Sequence, residues 1–331
     1  MIILILLYLK LSCAFSIPYF QYHSKSDAQA TPDLIKDFKT YITFAKGAMC
    51  SETWLNSTFP KTTQFEVDHP TLIIKSAFSP NTTGAGFVAV NHQLQNVIVS
   101  FRGSATKRLW LSDLEFWKQG IKFIPVAPIF VPHFKKNARV HDGFQKVYLT
   151  LKDQLQPAIK EAADKYPTYK IVFAGHSLGS ALAVMGAVDF TVNNPSFSYT
   201  NRISIYAFAT PRIGNQVFAE YLDSLPFSSR SFRIVKYGDP GITLLLFSDH
   251  HVLVPRLPPD FYPFNYKHAF QQFNILPNNT IVACKTYDEC SYNDILQLRF
   301  KTHLASSYLD FLGVQFYCTR NNEDDDIFRN T

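Results

Sequence analysis

At 331 residues and 47 % apolar content, the chain is long enough for one large domain or two small ones and can bury a substantial core. Its formal net charge of +6 arises from 32 basic residues scattered among 26 acidic ones. They do not cluster with aromatics, which argues against a nucleic-acid partner and for a solvated basic face, with mild attraction to anionic lipid as the alternative. Past the N-terminus no apolar run reaches the roughly 18 residues of a spanning helix, since "GITLLLF" is short and "FIPVAPIFVP" is broken by proline, so a soluble mature protein is expected.

The first 18 residues, "MIILILLYLKLSCAFSIP", are an apolar run followed by small residues, as in a secretory signal peptide cleaved near Ala14 or Ser16. No basic residue precedes the run, which leaves an uncleaved anchor as the alternative. Cleavage after residue 16 removes Cys13 and leaves Cys50, Cys284, Cys290 and Cys318, an even set that suits two disulfides in an oxidising compartment. Cys284 and Cys290 close a short loop worth about 2 kcal/mol on the chain-entropy model. Cys50 is then left to join Cys318 and staple the two ends of the chain. Acceptor triplets at Asn56, Asn81 and Asn278 agree with a secreted, glycosylated chain.

"TPDLIKDFKTYITFAKGAMC" (31–50) predicts an amphipathic helix with Thr31 as its cap, Pro32 at the first position and Leu34, Phe38, Ile42, Ala45 and Met49 along one face. "LIIKSAF", "GFVAV" and "NVIVSF" follow as short β-branched runs between turns and predict strands that are partly antiparallel. After residue 143 the pattern alternates. A helix over 144–166 is followed by strand 170–174, helix 177–190, strand 202–209, helix 215–225 and strand 232–237. Such alternation means βαβ crossovers, hence an α/β fold with a mostly parallel sheet and helices on its faces. No repeat or low-complexity linker is visible, so one domain is expected over 17–318, with residues 1–16 as signal peptide and 319–331 as a polar tail.

One junction in this pattern carries chemistry. In "KIVFAGHSLGSALAVMGAV" a buried strand turns into a helix at G-x-S-x-G, and Gly175 and Gly179 leave room for a sharp turn that presents Ser177 above the sheet's carboxyl edge. A serine hydroxyl is a weak nucleophile at neutral pH and needs a histidine base oriented by a carboxylate, here following in the order Ser, Asp, His. Asp239, just after "FRIVKY", stands at the right edge, with Asp249 and Asp260 as rivals. His303 precedes an apolar helical pattern, while His250, His251 and His268 lie in loops and His176 is too near Ser177 to serve as its base.

Six segments, "SFRGSAT" (100–106), "HDGF" (141–144), "GHSLGSALA" (175–183), "YAFATPRIGN" (206–215), "RIVKYGDP" (233–240) and "VPRLPP" (254–259), resemble the class 3, fungal-type triacylglycerol lipase family over nearly the whole mature chain. The resemblance implies an α/β-hydrolase fold with Ser177 as nucleophile, Asp239 as orienting carboxylate and His303 as base. It also implies an oxyanion hole from Ser104 and the backbone N–H of Leu178. Two features depart from the family. "GITLLLFSDHHVL" separates Pro240 from Val254, which keeps Asp249 in contention, and Ser180 replaces a usual glycine. "TKRLWLSDLEFWKQG" occupies the family's lid position, with Trp110, Leu114 and Trp117 spaced as an apolar helical stripe.

These residues point to a secreted serine carboxylic ester hydrolase that needs neither metal nor organic cofactor. Its partner is a lipid or other ester substrate met at a lipid–water interface, and peripheral contact with a membrane or lipid droplet fits the lid. Phospholipase A1 and feruloyl or aryl esterase share the chemistry and stay open as alternatives. So does a non-catalytic lipid-binding protein. "IKFIPVAPIFVPHF" (121–134) lines an acyl groove or forms an edge strand.

Overall fold

The computed structural model describes residues 28–60, 70–103, 117–124, 137–236, 258, 260, 262–276, 278–284, 305–311, 313 and 318. Thr31 caps helix α1 (Pro32–Gly47) by accepting the Leu34 N–H at 3.3 Å, and Phe38, Ile42 and Ala45 enter the core as the periodicity predicts. Met49 lies past the helix end, in the turn that leads to the short helix α2 (Ser51–Leu55). Strands β1 (Thr71–Phe78), β2 (Ala85–Asn91) and β3 (Asn96–Phe101) form an antiparallel meander. The short strands β4 (Lys118–Gly120) and β5 (Arg139–His141) follow.

The long helix expected over 144–166 is two helices, α3 (Asp142–Leu149) and α4 (Lys152–Lys165). At the break the N–H groups of Thr150 and Leu151 bond three residues back, to Val147 and Tyr148, and the Thr150 hydroxyl takes the Val147 carbonyl at 2.8 Å. Competition of this kind tightens and ends a helix. Next come β6 (Lys170–His176), α5 (Leu178–Asn193), α6 (Pro195–Ser198), β7 (Ile203–Phe208), β8 (Gly214–Asn215), α7 (Gln216–Ser224) and β9 (Ser231–Lys236). The last described elements are β10 (Tyr266–Lys267), β11 (Gln271–Ile275), β12 (Ile281–Ala283) and α8 (Ala305–Phe311).

Eight strands form the central sheet in the order β1-β2-β3-β6-β7-β9-β11-β12, and β4, β5, β8 and β10 form a small second sheet. Strands β3, β6, β7, β9 and β11 run parallel, while the meander and β12 are antiparallel. Side chains alternate across the central strands. Val97, Val99, Ile171, Phe173 and Ile205 face α3, α4, α5 and α7; Ile98, Val172, Ala174, Tyr206 and Phe208 face α1 and α8. Both faces of the sheet are therefore covered, as a parallel sheet requires.

Helix α5 is apolar on every side and buried along its length. Its one carboxylate, Asp189, is satisfied by the Tyr148 hydroxyl (2.7 Å), Lys152 Nζ (3.2 Å) and Asn193 Nδ2 (2.7 Å). Burial nevertheless raises the Asp189 pKa above its ordinary value, against the pull of those donors. The expected Cys50–Cys318 disulfide is present and spans 268 residues. On the chain-entropy model so long a closure contributes about 5 kcal/mol. Cys284 is also disulfide-bonded, and its expected partner Cys290 lies outside the described residues. Among the described residues no helix is long and apolar enough to cross a membrane.

Candidate active site

Ser177 occupies the turn between β6 and α5 with φ +56° and ψ −129°, a conformation costly for a residue that bears a Cβ. The surroundings hold it there. Its N–H donates to Phe208 O at the end of β7 (3.0 Å), and its carbonyl accepts from Ser180 N (3.0 Å) and Ser180 Oγ (2.5 Å). The flanking glycines are required by close approach, since a Cβ on Gly175 would lie 2.2 Å from Gly179 O and one on Gly179 would lie 2.2 Å from Phe101 O. Strand, helix and the end of β3 thus meet with no side chain between them. Ser180, in place of the family's usual glycine, is accommodated because its hydroxyl folds back on the Ser177 carbonyl.

Leu178 opens α5, so its N–H belongs to the first turn, where backbone donors have no intrahelical acceptor and the helix dipole favours negative charge. On the far side of the turn, the segment after β3 comes up against the same point. A Cβ on Gly103 would lie 2.9 Å from His176 O and 3.7 Å from Ser177 Cβ. Ser104 is the next residue and lies outside the described residues, as do Asp239, Asp249, His250, His251, His303, Trp110 and Leu114.

What the structure does describe is the frame around those positions. Asp239 follows β9 by three residues and His303 precedes α8 by two. Helix α8 is pinned to the carboxyl ends of three strands. Tyr308 is fully buried, accepts the N–H of Lys236 at 3.0 Å, and packs edge-on against His176 (5.6 Å) and Phe208 (6.3 Å). Lys236 Nζ in turn donates to Ser307 O (3.1 Å) and Ser307 Oγ (2.5 Å). His176 therefore packs against α8.

Two other candidates lie within the described residues. Asp260 pairs with buried Arg212 at 3.0 Å, and Arg212 also donates to Pro258 O at 3.0 Å. His268 lines a small cavity with Arg233, Thr210 and Phe218 between the sheet and α7. Trp117 is 73 % exposed and precedes β4, outside any helix, and its carbonyl accepts the Asp142 N–H at 3.0 Å. Of the 121–134 segment, Ile121, Phe123 and Ile124 are buried and residues 125–134 lie outside the described residues. Among the described residues Cys50, Glu52 and Cys318 come within ligand reach of one another, but both sulfurs are joined in the disulfide.

The sequence offered no signal for the residues that hold the segment after β3. Arg102 is buried with its guanidinium over the Trp54 ring (4.9 Å), its N–H donates to Ala85 O (2.9 Å), and the Gly103 N–H donates to the Met49 thioether at 3.2 Å.

The profile of the lipase (class 3) family matches residues 98–245, the stretch that holds β3, the elbow and β9. Over that stretch the chain is similar to the class 3 lipase family. A secreted mono- and diacylglycerol lipase A of Penicillium cyclopium is 29 % identical over 204 residues, covering 61 % of this chain and 55 % of that one. A lipase of Rhizomucor miehei is 29 % identical over 206 residues, with 62 % and 49 % covered. The chain thus spans about half the length of the curated relatives it matches. A solved triacylglycerol lipase whose catalytic centre is a serine-protease triad superimposes with a TM-score of 0.69 at 25 % identity, over 84 % of this chain and 96 % of that one. Lipase II from Rhizopus niveus gives the same score, identity and coverage. The chain has the α/β-hydrolase fold.

Proposed function

We propose that this chain is a secreted serine hydrolase that cleaves the acyl esters of glycerolipids. The observation that carries the reading is Ser177 held at φ +56° where β6 meets the start of α5, with the segment after β3 packed against it. In this reading Ser177 attacks the acyl carbonyl while His303 takes its proton, and Asp239 holds the imidazole in the required tautomer. The N–H groups of Ser104 and Leu178 receive the oxyanion, each donor contributing about 3 kcal/mol of transition-state stabilisation. Water then releases the acyl-enzyme by the same route in reverse, with no metal or organic cofactor.

The fungal relatives are named as mono- and diacylglycerol lipase and as lipase, which supports glycerolipid esters as the substrate class. Ser177 is only 5 % exposed, and on this reading substrate is admitted by movement of a lid. We assign that movement to the segment bearing Trp110, Leu114 and Trp117, which swings outward where its aromatic residues meet a lipid surface. Residues 1–16 act as a signal peptide, 17–318 form the catalytic domain and 319–331 a tail. Asn56, Asn81 and Asn278 are all exposed, as glycosylation in the secretory pathway requires.

Ser177→Ala tests this reading: hydrolysis of a soluble short-chain ester should fall on the order of 10⁴-fold with the circular dichroism spectrum unchanged. In the same assay Asp239→Asn should be severely impaired and Asp249→Asn close to wild type. Retained turnover in Ser177→Ala would remove Ser177 from the site.

A further inference from the structure

The chain contains three methionines: Met1, Met49 and Met185. Met185 is wholly buried in α5, and Met1 belongs to the proposed signal peptide, which leaves Met49 as the accessible thioether of the mature protein. Met49 is half-buried in the turn between α1 and α2. That turn is fixed from both sides, since Met49 N donates to Lys46 O (2.9 Å), Cys50 N donates to Gly47 O (3.1 Å) and Cys50 is bonded to Cys318. From this anchored position the sulfur accepts the Gly103 N–H at 3.2 Å. Gly103 is the residue whose backbone abuts the Ser177 elbow, so the Arg102–Gly103 peptide is oriented by a thioether fifty-four residues away in sequence.

We propose that Met49 is a positioning residue for the oxyanion side of the site and a redox-sensitive modification site, the thioether holding the Arg102–Gly103 peptide until a peroxide oxidises it. The inference rests on the reading of Ser177 as nucleophile and of Ser104 as an oxyanion donor. A thioether is a weak acceptor, yet in this place it sets the plane of the peptide that precedes Ser104. Donors to an oxyanion must be aimed before the charge develops, and a small tilt costs rate without weakening substrate binding. Oxidation inserts an oxygen between sulfur and donor. The sulfur loses two electrons and gains an S–O bond, the peroxide O–O bond breaks, and the second peroxide oxygen leaves as water. The bulkier, polar sulfoxide no longer fits between the turn and Gly103, and the peptide shifts. The described cysteines cannot compete for the oxidant, because Cys50, Cys284 and Cys318 are all disulfide-bonded.

The test compares wild type, Met49→Leu, Met49→Gln and Ser177→Ala on a soluble short-chain ester, with active serines counted by a fluorophosphonate so that misfolded protein does not enter kcat. Met49→Leu keeps the volume and loses the acceptor, and should lower kcat about fivefold with KM unchanged, the size of one modest hydrogen bond. Met49→Gln returns an acceptor at similar reach and should recover most of that loss. Hydrogen peroxide should add about 16 Da to the Met49 peptide and lower wild-type kcat by a similar factor, reversibly with methionine sulfoxide reductase. Met49→Leu should not respond. A Met49→Leu enzyme within twofold of wild-type kcat, or one inactivated by peroxide as fully as wild type, overturns the proposal. Either result with Ser177→Ala inactive leaves the hydrolase reading standing, whereas an active Ser177→Ala removes both.

Discussion

The two walls of the site are held in place by different means. The elbow wall, β6 into α5, is local: Gly175, Ser177, Gly179 and Ser180 lie within six residues of one another, and their packing is backbone against backbone. The wall after β3 is held from a distance, by Trp54 under Arg102, Met49 on Gly103, and a disulfide that fastens the Met49 turn to the C-terminal region. Strain at Ser177 is thus maintained by backbone contacts within one short segment, while the opposing backbone is held by side chains and a cross-link from other parts of the chain. On the proposed reading, rigidity is placed where the nucleophile must be held, and sensitivity to chemistry where the oxyanion donors are aimed.

The contrast can be broken from either side. Replacing Cys50 and Cys318 by alanine releases the far-held wall and should have the largest effect, lowering the unfolding free energy by about 5 kcal/mol. Urea titration would measure it, with an unchanged midpoint counting against the disulfide as an anchor. Gly179→Ala attacks the local wall. Its Cβ would lie 2.2 Å from Phe101 O, an overlap that only a shift of β3 or α5 relieves, so a loss of about 3 kcal/mol is expected together with nearly all activity. A functional, undiminished Gly179→Ala protein would show that the elbow is softer than its packing implies.

The smallest effect concerns the helix behind the elbow. Burial raises the Asp189 pKa above its ordinary 3.8, although Tyr148, Lys152 and Asn193 all donate to it. A carboxyl whose folded pKa is raised contributes most below its unfolded value and progressively less as pH climbs through the folded one. The stability difference between wild type and Asp189→Asn should therefore shrink as pH is raised from about 3 to neutrality, read by thermal unfolding at stepped pH. A difference that grew with pH would mean that the donors outweigh burial.

Much of the fold was legible because its signals are periodic and local. The Thr31 cap, the apolar face through Phe38 and Ile42, the β-branched runs and the alternation after residue 143 each declare an element, and the elements lie close to where they were read. The split between α3 and α4 escaped notice because it depends on the Thr150 hydroxyl reaching a carbonyl three residues back, which apolar spacing does not register. Met49 was read as the last residue of a helical stripe, for the same reason. Helix ends are set by which groups find partners, and the Met49 sulfur finds one in the segment after β3.

By itself, then, the sequence determined the α/β class, the strand–turn–helix junction at Ser177 and the Cys50–Cys318 pairing, which follow from short-range propensity, close-packed glycines and cysteine count, and the family resemblance, which rests on its six motif segments. Only the tertiary structure decided that Tyr308 and Lys236 gather α8 onto the strand ends and that Met49 reaches Gly103. The reason is physical: a hydrogen bond between residues dozens of positions apart leaves no periodic trace in the chain, and exists only once hydrophobic burial has brought the two segments together.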